Sequence, residues 1–183
     1  ANHQSFYDPV LLSLSAGRHV VYMGLAKFFS YPLLGRLMRA FQCVPVRQRP
    51  RTATAYRKLL KALRNGAVYG IFPEGGRTTD GLIAPPRPGV GALALASGAP
   101  VVPVTIHGAY AAWPITRTLP RTGRIELLFG RPLRFDRKTS VSDSASARAR
   151  ATRTIMRRVA EGFRRLGRPD LAEGSRRNIE KLE

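Results

Sequence analysis

Apolar and polar positions follow two periods along this chain, and they divide it into short alternating elements. Over residues 52–64, Tyr56, Leu59, Leu60 and Leu63 fall at the i, i+3, i+4, i+7 spacing, with Arg57, Lys58, Lys61 and Arg64 on the other face. That pattern predicts an amphipathic helix, which Asn65-Gly66 closes. Ile155, Val159, Phe163 and Leu166 predict a second, long and strongly basic helix that Gly167 and Pro169 end. Three further helices are expected. Residues 10–16 follow Asp8 as N-cap and Pro9 as first helical residue, and Gly17 ends them. Residues 27–41 are interrupted before Pro32, and residues 90–97 are built of small side chains.

Short apolar runs at 19–22, 43–46, 67–72, 101–106 and 124–129 read as strands. Pro73 stops the third, and Pro103 inside the fourth puts it near an edge or a bulge. Residues 139–146 form a polar lead-in to the last helix, and the chain beyond Asp170 reads as a frayed polar tail. Strands alternating with helices predict an α/β fold, a single mixed sheet flanked by helices. One domain is expected over residues 1–166, with residues 167–183 as the tail.

Charge narrows the partner. Thirty-one Lys and Arg stand against 11 Asp and Glu, a formal net charge of +20. An anionic partner follows: nucleic acid, acidic lipid or a phosphorylated substrate. Cys43 is the only cysteine, so there is no internal disulfide framework. No apolar run reaches the roughly 18 residues that suggest a membrane span. The longest, residues 20–37, is broken by Lys27, Pro32 and Arg36. The sequence opens on Ala1 and meets its first motif at once. An N-terminal element, with room for an anchor, is therefore expected ahead of it.

Four segments carry candidate chemistry. In Asn2-His3-Gln4-Ser5-Phe6-Tyr7-Asp8, five residues of regular helix would set His3 and Asp8 about 140° apart. A loop leading into a helix at Pro9 removes that obstacle, and Asp8 then holds the imidazole through one oxygen while the other caps the helix. An oriented His is a common general base for a hydroxyl proton. Taken alone, the pair reads rather as an N-cap aspartate and an ordinary loop histidine. In Phe72-Pro73-Glu74-Gly75-Gly76-Arg77-Thr78, at a strand end, Gly75 and Gly76 let backbone N–H groups approach an anion and Arg77 offers a fork for phosphate. Glu74 is placed to accept from a substrate hydroxyl or to hold Arg77. A turn with a surface ion pair is the plainer alternative. In Val44-Pro45-Val46-Arg47-Gln48-Arg49 the arginines suit a phosphate or a solvated loop. Residues 99–106 suit an acyl-chain pocket or a core strand. Cys43, His19 and His107 read as structural. No metal-ligand spacing, nucleophile elbow or Walker loop occurs.

Taken together and in this order, the four segments resemble the lysophosphatidate acyltransferase family, the glycerolipid acyltransferases. Asn2-His3…Asp8, the 44–49 block, Phe72 to Thr78 and, more loosely, 99–106 match that family's blocks over roughly residues 1–135. Gly76 stands where Thr is usual. In the second block the family's Arg falls on Gln48 if Pro45-Val46 anchors the comparison and on Arg47 if the strand end does, with Arg49 beside them.

The resemblance implies a glycerolipid acyltransferase-like fold. It also implies transfer of a fatty acyl group from acyl-CoA or acyl carrier protein to the free hydroxyl of lysophosphatidate, giving phosphatidate. His3 and Asp8 would be catalytic, and Glu74, Gly75, Gly76, Arg77 and Arg47 would hold the acceptor, with no metal or bound cofactor. The implied partners are the acyl donor, a lysophospholipid and an anionic membrane surface at the cytoplasmic face, with the chain peripheral or anchored by a preceding segment. Another lipid acceptor, an inactive membrane-binding relative and a basic nucleic-acid module are alternatives. The last lacks an aromatic-basic RNA motif, and no nucleic-acid partner is expected.

Overall fold

The computed structural model describes residues 1–25, 29–32, 35–36, 44–46, 53–136 and 144–182. The chain forms two compact units, Pro9–Ile71 and a second made of Ala1–Asp8 together with Phe72–Glu183.

In the first unit, helix α1 (Asp8–Ser15), whose first residue belongs to the second unit, precedes strand β1 (Val20–Leu25). Strand β2 (Val44–Val46), helix α2 (Ala53–Arg64) and strand β3 (Val68–Gly70) follow. The strands form a parallel sheet in the order β2-β1-β3. Val20 pairs with Val68, and Met23 with Val44. The close β1–β3 pairing depends on a small residue: a Cβ on Gly70 would enter the ring of buried Tyr22. Strand β3 ends two residues before the expected Phe72. Tyr56, expected on the apolar face of α2, is 41% exposed. The helix expected over 27–41 lies largely outside the described residues, as do Cys43, Arg47, Gln48 and Arg49.

The second unit is built around one long helix. Helix α3 (Gly89–Ser97), strand β4 (Val104–His107), the single turn α4 (Ala109–Ala112) and strand β5 (Glu126–Phe129) lead to α5 (Ala145–Arg165). Ser144 caps α5 by accepting from the Ala147 N–H at 3.1 Å. Ile155, Met156, Val159, Ala160 and Phe163 line its buried face, at the spacing the sequence predicts, while Leu166 is only half-buried. Small residues let it approach its neighbours. The Gly91 N–H of α3 donates to Thr152 Oγ1 at 3.1 Å, and Gly162 lies against Thr105 of β4.

Strands β4 and β5 pair antiparallel, from Val104 with Phe129 to His107 with Glu126. The expected α/β class holds. The ladders are separate, however, one parallel and one antiparallel, rather than a single mixed sheet among the described residues. Pro103 has no N–H to donate. Strand β4 therefore starts after it, and Val101 makes only an isolated bridge with Leu133.

The expected frayed tail is instead helix α6 (Pro169–Glu180), packed on α5. Its buried residues include Ala172, Gly174 and Ser175, small side chains that a polarity reading passes over. Ser175 Oγ accepts from the Ile83 N–H at 3.1 Å, and Asn178 Nδ2 donates to the Ile83 carbonyl at 3.0 Å. No helix among the described residues is long and apolar enough to cross a membrane.

The α5–β4 contact leaves no room for a methyl group at Gly162. Gly162→Ala should lower unfolding free energy by about 1–3 kcal/mol. Gly123→Ala, whose Cβ would meet only Ala112 at 4.0 Å, should change it by less than about 0.5 kcal/mol. Urea titration of both variants checks the contrast.

Candidate functional site

The segment before α1 is a loop pinned by buried polar side chains. Asn2 holds strand β4 at both of its atoms, with Nδ2 donating to the Ile106 carbonyl at 2.9 Å and Oδ1 accepting from the Ile106 N–H at 2.8 Å. Gln4 Nε2 donates to the Gly81 carbonyl at 3.0 Å. Ser5 Oγ donates to the Trp113 carbonyl at 2.9 Å. Asn2, Gln4, Ser5 and Asp8 are all buried. His3, between two anchors, keeps a side chain 19% exposed.

His3 Nδ1 lies 2.8 Å from Asp8 Oδ2. The same oxygen accepts the N–H groups of Gln4 and Ser5, the latter at 2.7 Å. A carboxylate oxygen gathering donors in this way sets the tautomer: Nδ1 carries the proton and Nε2 the lone pair. The expected division of labour within Asp8 differs. Helix α1 starts at Asp8 itself, and the carboxylate turns back to the preceding amides rather than capping the helix. Oδ1 is buried and has no hydrogen-bond partner among the described residues.

The 72–78 segment closes over the same histidine. The Phe72 ring stacks on His3 with centroids 4.2 Å apart, and the Thr78 N–H donates to the His3 carbonyl at 2.8 Å. Glu74 is buried and uses both oxygens on backbone amides. Oε1 accepts from the His3 N–H at 2.6 Å and Oε2 from the Ala84 N–H at 2.7 Å. It braces the loop and pairs with no arginine among the described residues. Gly75 and Gly76 are exposed, and Gly75 adopts φ +74, a conformation that suits glycine.

Arg77 is half-buried, with its guanidinium carbon 3.4 Å from the Phe6 ring centroid. Its Nη1 is buried and has no hydrogen-bond partner among the described residues. Burial pushes the Arg77 guanidinium below its ordinary value, and the charge on Asp8 opposes that shift. The structure thus gathers His3, Asp8, Glu74, Gly75, Gly76 and Arg77 in one unit, while Arg47 lies outside the described residues.

The family model for Acyltransferase matches residues 1–107. The chain belongs to the acyltransferase family. A chloroplastic 1-acyl-sn-glycerol-3-phosphate acyltransferase of Brassica napus is 29% identical over 148 residues, 79% of this chain and 43% of that protein. A 1-acyl-sn-glycerol-3-phosphate acyltransferase of Bacillus subtilis is 25% identical over 132 residues, 72% of this chain and 63% of its own length. The chain therefore spans less than two thirds of either relative. The crystal structure of the 1-acyl-sn-glycerophosphate acyltransferase PlsC from Thermotoga maritima matches with a TM-score of 0.68 at 25% identity. That match covers 91% of this chain and 64% of that one, and the expected acyltransferase fold is present.

Some residues around the site carry no sequence signal of their own. Phe6 sits inside the first motif, where only its charged neighbours stand out. Arg87 follows two prolines and belongs to no periodic element, yet its guanidinium lies so close to Gly75 that a Cβ there would meet Nε at 2.8 Å. A second cation thus stands beside the glycine turn. The apolar residues of 99–106 divide: Val104 and Ile106 are core, while Val102 is 43% exposed.

Burial pushes the Glu74 carboxyl up to about 7, against the amides of Ala84 and His3, which pull it down. The folded chain therefore holds a proton that the unfolded chain, at an ordinary 4.5, releases. Stability from this group is full below about pH 4.5 and is lost as pH rises through about 7, by at most on the order of 3 kcal/mol. Glu74→Gln removes the titration. The thermal midpoint of the wild type should fall more steeply between about pH 5 and pH 8 than that of the variant, and parallel profiles would contradict the assignment.

Proposed function

We propose that the chain is the catalytic region of a 1-acyl-sn-glycerol-3-phosphate acyltransferase, moving a fatty acyl group from a thioester to the free hydroxyl of lysophosphatidate. The observation that carries this reading is the 2.8 Å contact between His3 Nδ1 and Asp8 Oδ2, within one unit with Arg77. The names of the similar proteins support it.

The chemistry follows from the tautomer. His3 Nε2 takes the acceptor's hydroxyl proton as that oxygen forms its bond to the thioester carbonyl carbon. Asp8 stabilises the imidazolium that results. The tetrahedral adduct collapses by breaking the C–S bond, and the His3 proton leaves with the thiolate. The acceptor itself is the nucleophile, so no acyl-enzyme forms. Arg77 holds the acceptor phosphate: Nη1 is a donor without a hydrogen-bond partner among the described residues, and the Phe6 ring supports the guanidinium plane. The exposed Gly75–Gly76 backbone leaves the phosphate room to approach. Glu74 acts as a positioning residue, fixing the His3 backbone while Asp8 fixes its ring. Arg47 is a further phosphate ligand on the sequence comparison alone. The donor is acyl-CoA or acyl carrier protein, and the chain works at the cytoplasmic face of the cell membrane, where a net charge of +20 favours an anionic leaflet.

Thiol release from acyl-CoA in the presence of lysophosphatidate tests the reaction, and acyl carrier protein thioester in parallel identifies the donor. His3→Ala should lower kcat by about 10²–10⁴; a variant with full activity would rule out His3 as the base. In the same assay Arg77→Ala should raise KM for lysophosphatidate by at least about tenfold and leave KM for the donor unchanged. An effect confined to the donor would remove Arg77 from the phosphate site.

A further inference from the structure

We propose that the loop of residues 114–121 docks this unit on an anionic phospholipid bilayer. The proposal rests on the acylation reading above and names the surface on which the lipid reaction takes place. Leu119 is 72% exposed and Ile115 44% exposed. Residues 109–125 contain three arginines and no acidic side chain. Arg124 pairs with Glu126 at 2.9 Å, so Arg117 and Arg121 carry the loop's charge. Apolar side chains flanked by cations match the layered chemistry of a bilayer surface, with acyl chains below anionic phosphates.

The loop has a braced shape. Trp113 Nε1 donates to the Arg117 carbonyl at 3.1 Å. The Arg117 N–H donates to the Pro114 carbonyl at 3.1 Å, and the Arg121 N–H to the Ala112 carbonyl at 2.8 Å. The loop curves around a shallow, open depression of about 580 Å³ lined by its own residues, Leu119 among them. Leu119 lies between the braced positions Arg117 and Arg121 and stays largely exposed.

Its position ties it to the reaction. The Trp113 ring lies 5.1 Å from Phe6 and 5.1 Å from Tyr7, and its carbonyl accepts from Ser5. Phe6 in turn supports Arg77. A bilayer held by the loop therefore lies next to the proposed phosphate site. The exposed arginines of α5, such as Arg158 and Arg165, offer charge without this match, because the apolar stripe of that helix is buried. An acidic protein surface would engage Arg117 and Arg121 but would leave Leu119 unexplained.

Trp113 is the only tryptophan in the chain, which makes it a reporter at the base of the loop. The full chain is mixed, without substrate, with vesicles of phosphatidylcholine and phosphatidylglycerol, some carrying brominated acyl chains, and with phosphatidylcholine alone. Partition should favour the anionic vesicles, and brominated lipid should quench Trp113. Arg117→Gln with Arg121→Gln should weaken partition by about 25-fold, about fivefold per arginine. Leu119→Ser should reduce both partition and quenching. Arg158→Gln with Arg165→Gln removes the same charge elsewhere and should cost far less.

Equal loss in that control pair, or full partition without Trp113 quenching, would overturn the proposal. So would loop variants that partition normally but lose turnover with acyl carrier protein thioester, which would assign the loop to an acidic protein donor. Turnover of acyl-CoA and a short-chain, water-soluble lysophosphatidate, measured without vesicles, should survive every loop variant. Wild type that partitions through the loop but turns nothing over would sink the acylation reading alone. Wild type that turns over but partitions independently of the loop would sink the docking proposal alone.

Discussion

The site depends on one buried carboxylate oxygen. Asp8 Oδ2 accepts the His3 ring and the amides of Gln4 and Ser5, and Asp8 is fully buried. Removing a carboxylate from water is costly unless hydrogen bonds compensate it. Here the compensating donors belong to the very loop that must be shaped. The residue that orients the imidazole also curls the backbone bearing it. Glu74 does the complementary work by accepting the His3 N–H. The histidine is therefore held at ring and backbone by two different acids, and its tautomer and position follow together.

That arrangement requires long-range closure. Asn2 reaches Ile106, and His3 reaches Glu74 and Thr78. Residues 1–8 consequently belong to the unit that Phe72–Glu183 forms. The frame beneath is stiffened by close packing, with α5 resting on α3 and β4 at Gly91 and Gly162 and α6 closing against it through small side chains. A loop anchored to such a frame can keep His3 partly exposed while four of its neighbours are buried.

Much of the fold is legible in the sequence alone. The periodic face of α5, the helix over Ala53–Arg64 and the strand positions all follow from hydrophobic spacing. The misreadings share a cause, because local polarity does not report what a residue will pack against. α6 buries Ala172, Gly174 and Ser175, so it looks like a tail. Tyr56 has helical spacing yet is 41% exposed. The strand expected over 101–106 starts only at Val104, because Pro103 has no N–H to continue the ladder.

For the site, the sequence by itself determined the inventory: a histidine and a carboxylate in one short loop, and an acid, two glycines and an arginine at a strand end. Residue type and order are local properties, and the family resemblance needed nothing more. Only the tertiary structure decided what each group does with its neighbours. It turned Asp8 from helix cap to loop organiser, committed Glu74 to backbone amides, and set Arg77 on Phe6 with one nitrogen unpartnered among the described residues. The partners of Asp8 lie within five positions, but its geometry, like the partners of Glu74 and Arg77, depends on a loop held by residues about seventy to a hundred positions away, which no local pattern contains.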